Sequence, residues 1–178
     1  MDETVLLPSS IEPQEIVYRD RNQTIQRVIA RFDGFSKEYF VCDHAQRTAL
    51  LAINNSGVLL ARQYRLLING LSYEIPGGRI EENETPAAAA VRECLEETGV
   101  LCTGLKPLID YLPSMDILKN HTHIFYSEKV QEIENNMSGS RTWMPIERCI
   151  DMLFDRQIVD SMTIIALLAY TTKLNRAD

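Results

Sequence analysis

Residues 78–100, GRIEENETPAAAAVRECLEETGV, constrain this chain more than any other stretch. Thr85 can cap a helix whose first residue is Pro86, and Gly99 is suited to end it. On a helix each residue turns about 100° and rises about 1.5 Å, so Glu93 and Glu97 stand about 40° apart. Glu96 lies about 60° to the other side of Glu93, which puts three carboxylates on one arc of roughly 100°. Val91 and Leu95 point about 160° away from Glu93 and are expected to anchor the opposite face in the core. Crowded carboxylates repel one another and require a cation or shared protons. Hard oxygen ligands on adjacent turns suit Mg²⁺ or Mn²⁺, which bind few protein carboxylates and keep places for water and phosphate oxygens. The preceding Pro76-Gly77-Gly78 offers bare backbone that can approach an ion or a phosphate closely. Taken alone, the same carboxylates also read as a solvated acidic face, with Arg92 and Glu96 as an ordinary i,i+4 pair.

Charge sharpens the choice. The 178 residues carry a formal charge of −7, which excludes a general polyanion-binding surface and so nucleic acid as a partner. An anionic small molecule would need a divalent cation to offset the repulsion. With 45% hydrophobic and 24% charged residues, the chain is neither collagenous, disordered nor a coiled coil, and is long enough for a full core. Cys42, Cys94, Cys102 and Cys149 form no CxxC or Cys/His zinc spacing, and read as small apolar residues of a reducing compartment. The start, MDETVLLPSS, lacks the features of a secretory signal, and the longest apolar stretch, 164–170, is too short to cross a bilayer. A cytoplasmic protein without a membrane partner is expected.

Around the acidic helix, strands are expected at 15–18, 24–32 and 38–41, with a turn at Asp33-Gly34 and a loose lead-in holding Pro8 and Pro13. Residues 49–53 and 58–64 flank Asn54-Asn55-Ser56-Gly57 as a hairpin, and 72–75 runs as a strand into the glycine loop. Further strands are expected at 105–111, 123–126 and 143–146, then helices at 147–155 and 161–174, the second with an apolar face through Ile164, Ile165, Leu168 and Ala169. This mixture predicts helices layered on a sheet.

The segment 78–100 resembles the Nudix box, GX5EX7REUXEEXGU with U aliphatic, through Gly78, Glu84, Arg92, Glu93, Cys94, Glu96, Glu97, Gly99 and Val100. Seven fixed identities at about one in twenty each arise by chance on the order of 10⁻⁹ per start position. Cys94 at an aliphatic position is the one departure within the box. The resemblance implies a Nudix α/β/α sandwich with a mixed sheet and an N-terminal antiparallel β extension. It implies hydrolysis of a nucleoside diphosphate linked to a second moiety, X, with Mg²⁺ or Mn²⁺. Glu93, Glu96 and Glu97 would be metal ligands or orient the attacking water, the Gly77 carbonyl would be a further ligand, and Glu84 and Arg92 would hold the loop and helix together.

Outside the box, the chain is similar to the branch acting on ADP-ribose and nucleotide sugars, through ARQYR at 61–65, YEIPGG at 73–78, WMPIE at 143–147 and QIVDSMTIIALL at 157–168. Arg62 and Arg65 are candidate substrate contacts, but three residues apart on a strand they face opposite sides, so one of them is expected to reach substrate. Glu74 could touch metal, substrate or Arg62. Members of the branch often carry a loop glutamate that activates water; here Asn120 stands near that place, and an amide cannot act as a base. Asp116, His121, Glu96 or a metal-bound hydroxide are the alternatives. The resemblance further implies residues 1–45 as a β extension that dimerises, with Tyr18, Arg19, Phe32 and Phe35 as candidate nucleobase contacts, and 46–178 as the catalytic domain. The expected product of this chemistry is a nucleoside monophosphate plus phosphorylated X, made by a homodimer. The competing reading is a non-catalytic sensor that binds an ADP-ribose-like ligand through the same fold.

Overall fold

The computed structural model describes residues 6–133 and 141–176. In chain order these form β1 (Ser10–Arg19), β2 (Thr24–Phe32), β3 (Phe35–Asp43), β4 (Arg47–Asn54), β5 (Gly57–Arg65), a 3-10 turn (Leu66–Ile68), β6 (Gly70–Glu74) and β7 (Gly77–Arg79). Helix α1 (Pro86–Thr98) is followed by β8 (Val100–Thr103), β9 (Lys106–Tyr111), β10 (Leu118–Lys119), β11 (Thr122–Ser127), β12 (Lys129–Glu132), β13 (Arg141–Met144), α2 (Ile146–Phe154) and α3 (Ser161–Leu174). They fall into two compact units: residues 6–46 with 112–121, and residues 47–111 with the described part of 122–176.

The first unit is a four-stranded sheet in the order β1-β2-β3-β10. Strands β2 and β3 form a hairpin over Asp33-Gly34, in register from Thr24↔Asp43 to Phe32↔Phe35. Gly34 takes the positive φ of 81° that this tight turn needs. The lead-in expected around Pro13 is instead the start of β1. Proline is tolerated there because β1 is an edge strand, and its register on β2 slips directly after Pro13. The segment 112–121 belongs to this unit because Leu118 and Lys119 pair in parallel with Cys42 and Asp43. A two-residue strand carries no periodicity by which sequence could distinguish it from a loop.

The second unit is built on a seven-stranded sheet, β13-β5-β4-β11-β9, to which β6 adds on β5 and β7 on β4. The sheet is mixed: β11 runs parallel to β4 and antiparallel to β9. Its central strands are apolar on both faces, and period-two alternation splits their side chains into two cores. Ala49 and Leu51 of β4, with Val58 and Leu60 of β5, pack with Cys149 and Met152 of α2 and Ala166 and Leu167 of α3. Leu50, Ala52 and Leu59 point the other way, to Ala90 and Cys94 of α1 and to Val100 and Cys102 of β8. Helices on both faces of a mixed sheet make the α/β/α sandwich that the sequence implied. Strands β8 and β12, which pair as a separate ribbon, were not foreseen. At four residues each they are too short to show a pattern.

Two helix faces differ from expectation. In α3 the buried residues are Met162, Thr163, Ala166, Leu167 and Tyr170, while Leu168 is 45% exposed. A helix this apolar all round shows no clear stripe, so the sequence cannot orient it. In α1 the buried residues are Ala89, Ala90, Cys94 and Thr98, with Val91 and Leu95 only half-buried. The buried stripe of α1 therefore runs beside the acidic face rather than opposite to it. No helix among the described residues is long and apolar enough to cross a membrane.

Candidate active site

The box helix is placed as its sequence demands. Thr85 caps α1 by accepting the Ala88 N–H at 3.2 Å, Pro86 opens it, and Gly99 closes it in the left-handed region with its N–H on the Leu95 carbonyl. Because Ala90, Cys94 and Thr98 sink into the core, the flanking Glu97 is drawn against the sheet, whereas Glu96 stands 56% exposed. Cys94 is completely buried against Cys102 and Thr98, where a small, nearly apolar side chain fits.

Arg92 organises the acidic side. Its Nε and Nη2 each lie 3.0 Å from a carboxylate oxygen of Glu84, and Nη2 also donates to the Arg79 carbonyl at 2.9 Å. The same side chain reaches Glu93 at 2.9 Å and Glu96 at 3.1 Å through Nη1. The paired guanidinium holds the Glu84 carboxyl below the usual carboxylate range, and Glu84 in turn raises the pKa of Arg92. One cation, tied bidentately to Glu84, thus serves three carboxylates.

Glu97 is held by neutral donors. The Gln63 amide donates to its Oε1, and the Gly77 N–H to its Oε2 at 3.1 Å. Burial pushes the Glu97 carboxyl up, and the Gln63 and Gly77 hydrogen bonds pull against that shift while the Glu93 charge adds to it. The glycine loop comes close because it lacks side chains. A Cβ on Gly78 would fall 2.5 Å from Glu93 Oε2, and one on Gly77 2.5 Å from the Thr48 carbonyl oxygen.

Glu97 is bonded to the Gly77 N–H, Glu93 lies against Gly78, and Glu96 is joined to Glu93 through Arg92; as oxygen donors along one helix face they have the chemistry a hard divalent cation takes. The donors are oxygens, the carboxylates outnumber the guanidinium that touches them, and each Glu97 oxygen is oriented by one donor, with a lone pair to spare.

The alternation of β5 sorts the remaining candidates. Gln63 and Arg65 share a face; Arg62 is on the other, exposed, with its guanidinium 5.3 Å from the Tyr73 ring centroid. Arg65 grips Glu74 with Nε on Oε1 at 2.8 Å and Nη2 on Oε2. Glu74 is 4% exposed, and its partner is Arg65 rather than Arg62. Gln63 was missed by sequence reasoning, although its place between the two arginines of ARQYR, two residues from Arg65, was the available signal.

Asp116 and Asn120 belong to the first unit. There Asp116 accepts the Ser114 hydroxyl at 3.1 Å, and Asn120 is 6% exposed with its N–H on the Leu118 carbonyl at 3.0 Å. His121 lies in that unit too, whereas His123 on β11 has Nδ1 3.1 Å from Asp110 of β9. Of the nucleobase candidates, Phe32 and Phe35 stack on each other at 4.7 Å between centroids, and the Tyr18 hydroxyl donates to Asp20 at 2.9 Å.

A sequence model of the NUDIX domain matches residues 44–161. The chain belongs to the Nudix family. Among its relatives, a CMP-5'-(N-acetyl-N-hydroxy-3-aminopropyl)phosphonate hydrolase of Streptomyces rubellomurinus is 28% identical over 116 residues, covering 63% of this chain and 56% of that protein. The chain thus aligns with little more than half of the Streptomyces protein. An ADP-ribose pyrophosphatase of Bacillus subtilis is 23% identical over 142 residues, covering 76% of this chain and 77% of that one. The crystal structure of an ADP compounds hydrolase superposes with a TM-score of 0.80 at 18% identity, covering 97% of this Nudix chain and 95% of the other. At that identity the likeness speaks for the fold.

Proposed function

We propose that this Nudix protein hydrolyses the pyrophosphate bond of a nucleoside diphosphate linked to X, ADP-ribose or a nucleotide sugar, to a nucleoside monophosphate and phosphorylated X. The observation that carries the reading is the box helix set against the Gly77–Gly78 turn, with Glu97 on the Gly77 N–H, Glu93 beside Gly78 and Glu96 tied to Glu93 through Arg92. The ADP-ribose pyrophosphatase of Bacillus subtilis among its relatives supports that substrate class.

Mg²⁺ or Mn²⁺ held by Glu93, Glu96, Glu97 and the Gly77 carbonyl would neutralise pyrophosphate charge and acidify a water. The chain's own groups supply the order this chemistry needs. Arg92 locks Glu84, Glu93 and Glu96 to one another, so helix and loop move as a unit. Gln63 and the Gly77 N–H fix the orientation of Glu97. Arg65 stands on the same strand face as Gln63, where its charge can meet a phosphate, and Glu74 keeps it extended by two parallel bonds. Arg62, Asp116 and Asn120 are proposed to contact X or the nucleobase. Proton removal from water falls to Glu96, the most exposed of the three box carboxylates.

The test is release of phosphomonoester from ADP-ribose, ADP-glucose, GDP-mannose and UDP-glucose with Mg²⁺ or Mn²⁺. Turnover abolished by chelator and lowered by orders of magnitude in Glu97→Gln, with the fold intact, is the expected result. Binding of every compound without turnover would replace this reading with the sensor.

A further inference from the structure

The tail segment 157–168, QIVDSMTIIALL, has no part in the chemistry described above, yet it touches the catalytic loop. Asp160 caps α3, with Oδ2 accepting the Thr163 N–H at 2.8 Å and the Thr163 hydroxyl at 2.7 Å. A cap alone needs only the first of these bonds. With its proton committed to Asp160, the hydroxyl oxygen presents lone pairs elsewhere, and it accepts the N–H of Ile75 at 3.0 Å. Thr163 is completely buried and Ile75 is 2% exposed, so water does not substitute for either partner.

Ile75 is the last residue before the Pro76-Gly77 turn. The Pro76 carbonyl accepts the Leu50 N–H at 2.9 Å, and the Gly77 N–H donates to Glu97 Oε2 at 3.1 Å. Three consecutive residues of this turn are thus each pinned by a different element: α3, β4 and α1. Of the three pins, only the Ile75 bond depends on a hydroxyl supplied from the tail, 88 residues away in sequence.

We propose that Thr163, oriented by Asp160, is a positioning residue for the Pro76-Gly77 turn, and that through the Gly77 N–H it sets the place of the Glu97 carboxylate. Its catalytic consequence rests on the reading of Glu97 as part of the hydrolytic site. The geometry acts on the turn whether or not that reading holds.

Thr163→Val keeps the volume and the helix cap but removes the hydroxyl, while Thr163→Ser keeps the bond. Met162→Ala weakens the same turn of α3 by a core cavity and leaves the relay untouched. For the full chain, amide exchange at Gly77 is measured without metal, then the Mn²⁺ dissociation constant, then kcat and KM on ADP-ribose. Thr163→Val should speed Gly77 exchange, weaken Mn²⁺ binding and lower kcat, each by about tenfold, as expected for a buried donor left unpaired, with KM within about twofold. Thr163→Ser should restore all three, and Met162→Ala should leave Mn²⁺ affinity and Gly77 exchange near wild type. Thr163→Ala is read in the same way should the valine variant fail to fold. Unchanged Gly77 exchange and Mn²⁺ affinity in the Thr163 variants, or equal losses in Met162→Ala, would overturn the proposal. Should the unaltered protein cleave nothing, the hydrolase reading falls, while the exchange comparison still decides the role of Thr163.

Discussion

Gly78→Ala perturbs the site through one methyl group. The added carbon would stand 2.5 Å from Glu93 Oε2 and closer still to Cδ and Oε1, where ordinary contact begins at 3.4 Å. The obstacle is the end of a side chain, so the carboxylate can yield, and it must yield by about 1 Å. A displacement of that size at a reacting centre costs about 100-fold in rate. That corresponds to about 2.7 kcal/mol in the barrier. Stability should change far less, because a rotated Glu93 relieves the clash without moving the backbone. The assay is kcat/KM on ADP-ribose with Mg²⁺, alongside thermal unfolding, with Gly70→Ala as the control. A Cβ at Gly70 meets only the Ile68 carbonyl oxygen, at 3.6 Å. A hundredfold loss in Gly78→Ala, near-normal melting and an active Gly70→Ala are expected. A fully active Gly78→Ala enzyme would refute the claim that Glu93 needs the place it occupies here.

Other consequences can be tested alongside. The Glu84 carboxyl sits below its ordinary value because of Arg92, so the stability it confers is complete above the unfolded-state value near 4.5 and drains away as pH falls through the folded value. Glu84→Gln should therefore flatten the decline of Tm below about pH 4.5, and an unaltered slope would show that the pair contributes nothing to acid stability. Gln63→Ala takes one of the two donors from Glu97 and should lower kcat several-fold, consistent with the loss of one hydrogen bond to a charged group; normal turnover would remove Gln63 from the site. Asn120→Glu should change the rate or its pH dependence if Asn120 stands in place of a loop base, and a silent substitution would put water activation elsewhere. Light scattering should give twice the chain mass if residues 1–45 dimerise; a monomer at micromolar concentration would refute that role.

How far the site could be read from sequence depends on where each residue's partner lies. The acidic arc of α1 was legible because Glu93, Glu96 and Glu97 share one helix, whose period fixes their relation. The helix bounds were legible for the same reason, since Thr85, Pro86 and Gly99 act locally. Partners on other elements were not. Glu74 pairs with Arg65 instead of Arg62 because β6 runs antiparallel to β5, in a register that sets Ala61 opposite Glu74 and turns Arg65 toward the same face. Gln63 reaches Glu97 by the same alternation, but only once the strand lies under the helix.

The face of α1 that turns inward was misread for a related reason. Hydrophobicity favoured Val91 and Leu95 as anchors, yet Ala90, Cys94 and Thr98 pack closest to the sheet. Small residues bring a helix near a sheet, and here closeness has a chemical consequence. It draws Glu97 against β5 and β7, within reach of the Gln63 amide and the Gly77 N–H, and it causes the burial that raises the Glu97 pKa. The cysteine that departs from the aliphatic pattern of the box belongs to that stripe. Replacing Cys94 by leucine would restore the family pattern while adding volume where no space is left, beside Cys102 and Thr98. The outcome should be a destabilised protein, by about 1–3 kcal/mol, rather than an improved enzyme. A Cys94→Leu variant with raised melting temperature and unaltered kcat would show instead that the packing under α1 is loose, and that the position of Glu97 does not depend on it.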